Sequence, residues 1–391
     1  MRSSLVSFLA LLAAATFAGS QPIGDLTVHE WGTFTSIAGA DGRAVDWLPL
    51  DGPSDLPSFV DRACFSLKGS LPGTIRMETP VLYFYASRPV RANVRVEFRQ
   101  GMVTEWFPHA AVTPSAPTGP SLHRRDFIST ITWKDVTVLP GNDAALPVEN
   151  APSHYYAARR TDASLLQAAA EREKFLFYRG VGAFQPPVLA ALVNDGTIAV
   201  TASDGDDIGD VVVFQNRGGA IASEAVHLMT SRSTLAVPAV PVRDDGAAAS
   251  DDVEALLVSH GLYPAEARAM IETWRDSWFE EGTRLLYVAS RKAVDAILPL
   301  TVEPAPRSIE RVFVGRIELI DSHTMEAVKT ALIVNDRTTL SRFGRFLQPI
   351  SRRILDSSTP ADRQYFNELL RFANPLWPDD RASSFSRCTQ S

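Results

Sequence analysis

The spacing of apolar residues changes character along the chain. Short runs rich in Val, Phe, Tyr and Trp fill the first part, and spacings of three and four take over after about residue 250. In Val94-Arg95-Val96-Glu97-Phe98 apolar and charged residues alternate, the pattern of a strand with one buried face. Arg76–Ala86, Ala92–Arg99, Met102–Pro108 and Ile128–Leu139 carry the same strand-forming residues between turn residues. Val188–Val193 and Ile198–Ala202 flank Asn194-Asp195-Gly196, a hairpin turn sequence, and Arg217-Gly218-Gly219 splits Val211–Gln215 from Ala220–Leu228. These runs predict an antiparallel meander closing into a β-sandwich between about residues 25 and 230.

Thr113–Ser121 reads as a Pro- and Ser-rich surface loop, and Leu235–Asp252 has the composition of a linker. Beyond it, Asp251 or Asp252 can cap a helix running to His260, where Gly261 ends it. Pro264 suits the first turn of a second helix, whose Ala267, Met270, Ile271, Trp274 and Trp278 line one face. Arg284–Ser290 and Arg311–Ile320 read as strands, and Thr324–Val334, Leu340–Leu355 and Pro360–Phe372 as helices. The expected architecture is therefore α+β and multidomain. An N-terminal antiparallel β-sandwich (21–234) is followed by a linker (235–252) and a smaller, helix-rich α+β domain (253–391).

The start of the chain has a different logic. Arg2 is the sole charge before an apolar run from Leu5 to Phe17, and Ala18-Gly19-Ser20 supplies small residues. Residues 1–20 thus predict a secretory signal peptide, cleaved before Gln21 or after Ala18. The apolar run is shorter than the ~20 residues that cross a bilayer, and no later stretch is long and apolar enough, so the mature chain is expected in the periplasm or outside the cell. In such an oxidising compartment Cys64 and Cys388 could pair or remain two free thiols.

At 391 residues, with 45% hydrophobic and 21% charged residues, the composition is globular. The net charge of −7 argues against a nucleic-acid partner, which needs a concentrated positive surface. No nucleophile elbow, phosphate-binding loop, dinucleotide fingerprint, zinc helix or Cys-x-x-Cys occurs, and the sequence names no cofactor or metal.

The chemistry that remains is carried by a few clusters. His29-Glu30-Trp31 could supply a ligand, a base and an apolar wall, or it could open a strand on which His29 and Glu30 face opposite ways. Glu30 and Glu105, with Glu78 as a third, could be paired carboxylates of a glycosidase or carboxylates buried for structure. Trp106 repeats the Glu-Trp pair. His154, Tyr156 and Arg159 form a polar-aromatic group able to bind an anionic or carbohydrate ligand, and Arg179 is a lone cation that could pair with one of the glutamates. The acidic run Asp204–Asp210 lacks the EF-hand ligand pattern and reads as a hairpin turn.

Taken in order, HEWGTFTS (29–36), METPVLYFY (77–85), TEWFP (104–108), HYYAAR (154–159), KFLFYRGVG (174–182), TWRDSWFEEG (273–282) and RVFVGRIE (311–318) resemble the signature blocks of a group of exported bacterial proteins that begin with His-Glu-Trp-Gly-Thr-Phe. The resemblance covers most of the mature chain. It implies export and one long architecture, and no established activity. The expectation is an exported binding or envelope-associated protein with a carbohydrate or peptide ligand. The alternative is a secreted hydrolase of glycans or peptides, with Glu30, Glu105 and His154 as catalytic residues and His29, Trp31, Glu78, Trp106, Tyr156, Arg159 and Arg179 around them.

Overall fold

A computed structural model describes residues 23–50, 55–63, 71–114, 122–239 and 247–373. The expected leader, Cys64, Cys388, residues 115–121 of the Pro-rich loop and residues 240–246 of the linker lie outside that range. Along the chain run β1 (Ile23–Ile37), β2 (Asp61–Arg62), β3 (Ile75–Tyr85), β4 (Val90–Arg99), β5 (Gly101–Phe107), β6 (Ala111–Thr113) and β7 (Ile128–Leu139). After a 3-10 turn at His154–Arg159 come β8 (Leu165–Ala168), β9 (Glu171–Glu173), β10 (Leu176–Gly182), β11 (Val188–Asn194) and β12 (Thr197–Ala202). β13 (Gly209–Arg217), β14 (Ala220–Leu228) and β15 (Arg232–Ala236) precede α1 (Ala247–Ser259) and α2 (Pro264–Trp278). The remainder alternates: β16 (Gly282–Val288), α3 (Arg291–Ile297), β17 (Leu300–Glu303), β18 (Pro306–Leu319), then α4 (Ser322–Val334), α5 (Arg337–Arg342), α6 (Leu347–Ser357) and α7 (Pro360–Ala373). The fold is α+β and rich in strand, with several sheets.

The largest sheet has nine strands in the order β14-β13-β16-β18-β1-β3-β10-β5-β2. A second joins β17-β4-β7-β8-β9, with β6 also on β7, and a third is β11-β12-β15. Burial explains the arrangement. β10 and β16 are buried at every position, as strands must be when both faces of their sheet are covered. On one face, Val213, Leu285, Phe313 and Tyr178 share a core with Val94, Val96, Phe98 and Trp133 of the second sheet. On the other, their neighbours Val212, Leu286, Val312, Val314 and Phe177 pack under Leu257, Met270, Trp274 and Trp278 of α1 and α2. β4 needs only one buried face, and its Val90, Ala92, Val94, Val96 and Phe98 alternate with more exposed residues. Each fully buried Val or Phe contributes about 1.5–3 kcal/mol. A third core joins Ile37, Trp47 and Ile320 to the C-terminal helices through Val328, Phe346, Ile350 and Ile354.

The boundary expected at 235–252 does not separate two sheets. β16 and β18 follow it in sequence yet lie between β13 and β1, which precede it. β18 pairs parallel with β1 in unbroken register from Thr27–Ser308 to Ile37–Glu318. The reason is the double apolar face of β16 and β18, which is buried only at the centre of a sheet. The meander divides too. β11 and β12 form the expected hairpin, but β12 then pairs with β15, while β13 and β14 pair in the large sheet. The acidic run Asp204–Asp210 is therefore a turn between sheets rather than a hairpin, held by Lys292 Nζ at 2.7 Å from Asp206 Oδ2.

Helix α2 starts at Pro264 as expected, with Glu266 in its first turn accepting the backbone N–H of Tyr263 at 2.8 Å. The helix expected over Leu340–Leu355 is instead two, broken at Gly344, whose φ of +45° leaves the helical region. Among the described residues no helix is long and apolar enough to cross a membrane.

Candidate functional site

The three catalytic candidates do not come together. Glu30 is fully buried; its carboxylate accepts the Tyr178 hydroxyl at 2.6 Å and pairs with Arg311, whose Nη1 also reaches Asp295 at 2.7 Å. Burial, then the Glu30 charge, push the Tyr178 phenol well above its ordinary range, so it stays a donor. Glu105 lies opposite Arg179 in the β5–β10 register, one residue along from Tyr178, and so on the other face of the sheet. It accepts a hydrogen bond from Thr104. His154 is at the surface, 3.2 Å from Asp276 Oδ2 on α2.

The remaining candidates are mostly structural in their contacts. Trp31 is fully buried beside Tyr83, and Trp106 is buried in the core shared with the second sheet. Arg179 is buried and donates to the Thr79 hydroxyl at 3.2 Å from both Nε and Nη2, and its Nη1 lies 3.3 Å from Asp55 Oδ1. Thr79 holds φ at +46° in the bulge where β1 and β3 slip register, a left-handed conformation that a Thr adopts only under constraint. Glu78 belongs to a buried ionic belt: Arg76 Nε is 3.0 Å away, Arg345 pairs with it from the C-terminal helices, and Thr35 donates at 2.7 Å. The belt continues through Glu318, which takes both Arg284 (2.9 Å) and Arg316 (2.6 Å).

As the alternation of a strand requires, His29 faces away from Glu30. Its Nδ1 lies 2.8 Å from Glu266 Oε2, and both residues are buried. Glu266 also accepts the Tyr85 hydroxyl at 2.7 Å, and the Tyr263 ring centroid is 4.4 Å from that of His29. Burial, then the Glu266 carboxylate, push the Tyr85 phenol far up, so it remains protonated. Nothing in the pattern of Glu266 pointed to His29. Its place three residues after Tyr263, with Pro264 between, was a sign of a helix start alone.

Tyr85 connects this cluster to a solvent-open cleft of about 340 Å³. Pro140–Asp143 form one wall and Asp162–Leu165 with Lys174 the other, with Tyr85 and Ala86 between. The His154–Arg159 turn, capped by the Ser153 hydroxyl, lies between these two segments in sequence. Arg159 donates to Glu173 Oε2 at 2.6 Å and to the Pro147 carbonyl at 2.8 Å. The Tyr156 hydroxyl accepts the Glu149 N–H at 3.0 Å, and the Arg159 guanidinium stands 4.9 Å from the Tyr156 ring centroid. Arg159 and Tyr156 thus hold the chain at Pro147 and Glu149, while Glu173 binds the Lys174 N–H at 2.8 Å beside the cleft. Lys174 Nζ donates to the Thr161 carbonyl at 2.9 Å. Asp143 and Asp162 have no hydrogen-bond or ion-pair partner among the described residues. A second space, below Phe346 and Glu318, holds about 20 Å³, room for a single water.

The chain matches no family model and no curated protein. Among solved structures, the yeast delta-COP-I mu-homology domain complexed with Dsl1 WxWxV peptide is similar at 7% identity with a TM-score of 0.30. That likeness covers 75% of this chain and 96% of the other, and at this level it carries no functional implication.

Proposed function

We propose that this is an exported, envelope-associated binding protein, a β-sandwich with a helix-rich C-terminal part, whose ligand seats in the cleft between Pro140–Asp143 and Asp162–Leu165. The observation that carries the reading is the cleft itself: it is preformed, lined by polar groups, and two of its carboxylates are uncommitted. The cationic and aromatic residues singled out in the sequence, Tyr156 and Arg159, hold the chain beside it. Export is supported by the leader sequence of residues 1–20 and by the resemblance of the seven blocks.

Hydrogen–deuterium exchange of the mature protein with and without pools of small metabolites tests the binding reading. Slowed exchange over 140–143 and 161–165 with at least one pool is expected, and no protection with any pool overturns it. Fractionation with N-terminal sequencing tests export: an intact leader on cytosolic protein would sink that part. The hydrolase alternative needs Glu30, Glu105 and His154 to meet in one site, and they lie apart, so no observation favours it.

A further inference from the structure

We infer that the ligand of the cleft is a neutral saccharide. The inference rests on the cleft being the binding site and names what it would take. Asp143 and Asp162 are acceptors only when ionised, and neither has a partner among the described residues. Lys174 is a donor only, with one of its N–H groups used by the Thr161 carbonyl. Asn142 gives one amide N–H to the Pro140 carbonyl at 3.2 Å, which leaves its other N–H as a donor and its side-chain oxygen as an acceptor. A ligand that satisfies this set must donate to the aspartates and Asn142 and accept from Lys174. A hydroxyl group does both, and a saccharide presents several on one rigid ring.

Charge disfavours the anionic classes: a phosphate, nucleotide or carboxylate would meet two unpartnered carboxylates. A polyamine is not disfavoured in that way, and the spermidine titration separates it from a saccharide. The lining is mostly polar, as suits a hydroxyl-rich ligand, and Tyr85, with its hydroxyl committed to Glu266, stands there beside Pro140 and Ala86. At about 340 Å³ the cleft falls at the lower end of the size range of small-molecule sites.

The test is isothermal titration of the full mature chain with glucose, galactose, N-acetylglucosamine, maltose and cellobiose, beside spermidine and inorganic phosphate. The same titrations are run on Asp143→Ala, Asp162→Ala and Lys174→Met, with exchange protection over 140–143 read in parallel. Asp143 and Asp162 are exposed, so their alanine variants are expected to keep the parent unfolding midpoint. The inference holds if a saccharide binds with protection of the cleft and each variant weakens it about tenfold or more. Binding of a saccharide that all three variants leave unchanged overturns it, and so does the absence of saccharide binding at millimolar concentration. Spermidine or phosphate protecting 140–143 in place of every saccharide overturns the ligand class while the binding reading stands. No protection by any probe or metabolite pool removes both.

Discussion

Glu30 and Arg311 stand beside each other on neighbouring parallel strands, in direct register, with neither side chain exposed to solvent. They are 281 residues apart in sequence. The pair joins the first strand to the last at the centre of the large sheet, and Tyr178, Asp295 and the Leu298 carbonyl add further hydrogen bonds to it. Glu30→Gln leaves the Arg311 charge buried without its main counter-ion and is expected to cost about 3–5 kcal/mol. Urea denaturation measures the loss, and a Glu30→Leu/Arg311→Met double variant should recover most of it. An unchanged midpoint in Glu30→Gln would show that the pair does not hold the strands.

Glu78 makes stability depend on acid. Burial pushes its carboxyl up, but Arg345, Arg76 and Arg316, with the Thr35 hydroxyl, outweigh burial and hold it at about 2, against 4.5 for the free side chain. A folded value below the unfolded one gives stability that is present above about pH 4.5 and is lost as pH falls towards 2. The difference corresponds to roughly 3 kcal/mol at neutral pH. Unfolding midpoints measured between pH 7 and pH 2 should fall across that window in the parent and fall less in Glu78→Gln.

Gly315 faces the Tyr287 ring across the β16–β18 pair, and a Cβ at that position would overlap the ring atoms. Tyr287 is buried in the core between sheets and has no room to retreat. Gly315→Ala is expected to destabilise by about 1–3 kcal/mol or more, and Tyr287→Leu in the same chain should relieve part of it. Thermal unfolding of the single and double variants decides the matter. A neutral Gly315→Ala would mean the strands sit further apart.

Glu266 gathers three donors: the His29 ring nitrogen Nδ1, the Tyr85 hydroxyl and the Tyr263 N–H. Glu266→Ala strands them together beneath α2 and should cost about 3 kcal/mol or more, whereas Tyr85→Phe removes one bond and should cost about 1 kcal/mol. Denaturation curves for both variants check the ratio. Equal losses would show that Tyr85 is the main partner.

Much of the local structure was legible. The alternation in Val94–Phe98 placed its apolar residues on one face, Asn194-Asp195-Gly196 turned a hairpin, and Pro264 began a helix. The opposite orientation of His29 and Glu30 was legible for the same reason. The candidate site was less so. Tyr156 and Arg159 hold the chain beside the cleft, and of its lining Asp162 follows them closely in sequence while Tyr85 and Lys174 stand at the ends of two of the resembling blocks. Asp143 carries no sequence signal, and only folding brings these four residues round one opening.

By itself, then, the sequence determined which segments are strands or helices and which side of each is apolar, because backbone geometry repeats every two or every 3.6 residues. Tertiary structure decided which strands neighbour one another: that β16 and β18 enter the large sheet between β13 and β1, and that the predicted glutamates are divided between its faces. No local pattern encodes such pairings. The entropy of closing a loop rises only slowly with its length, so a partner 281 residues away is little disfavoured, and the burial of both faces selects it.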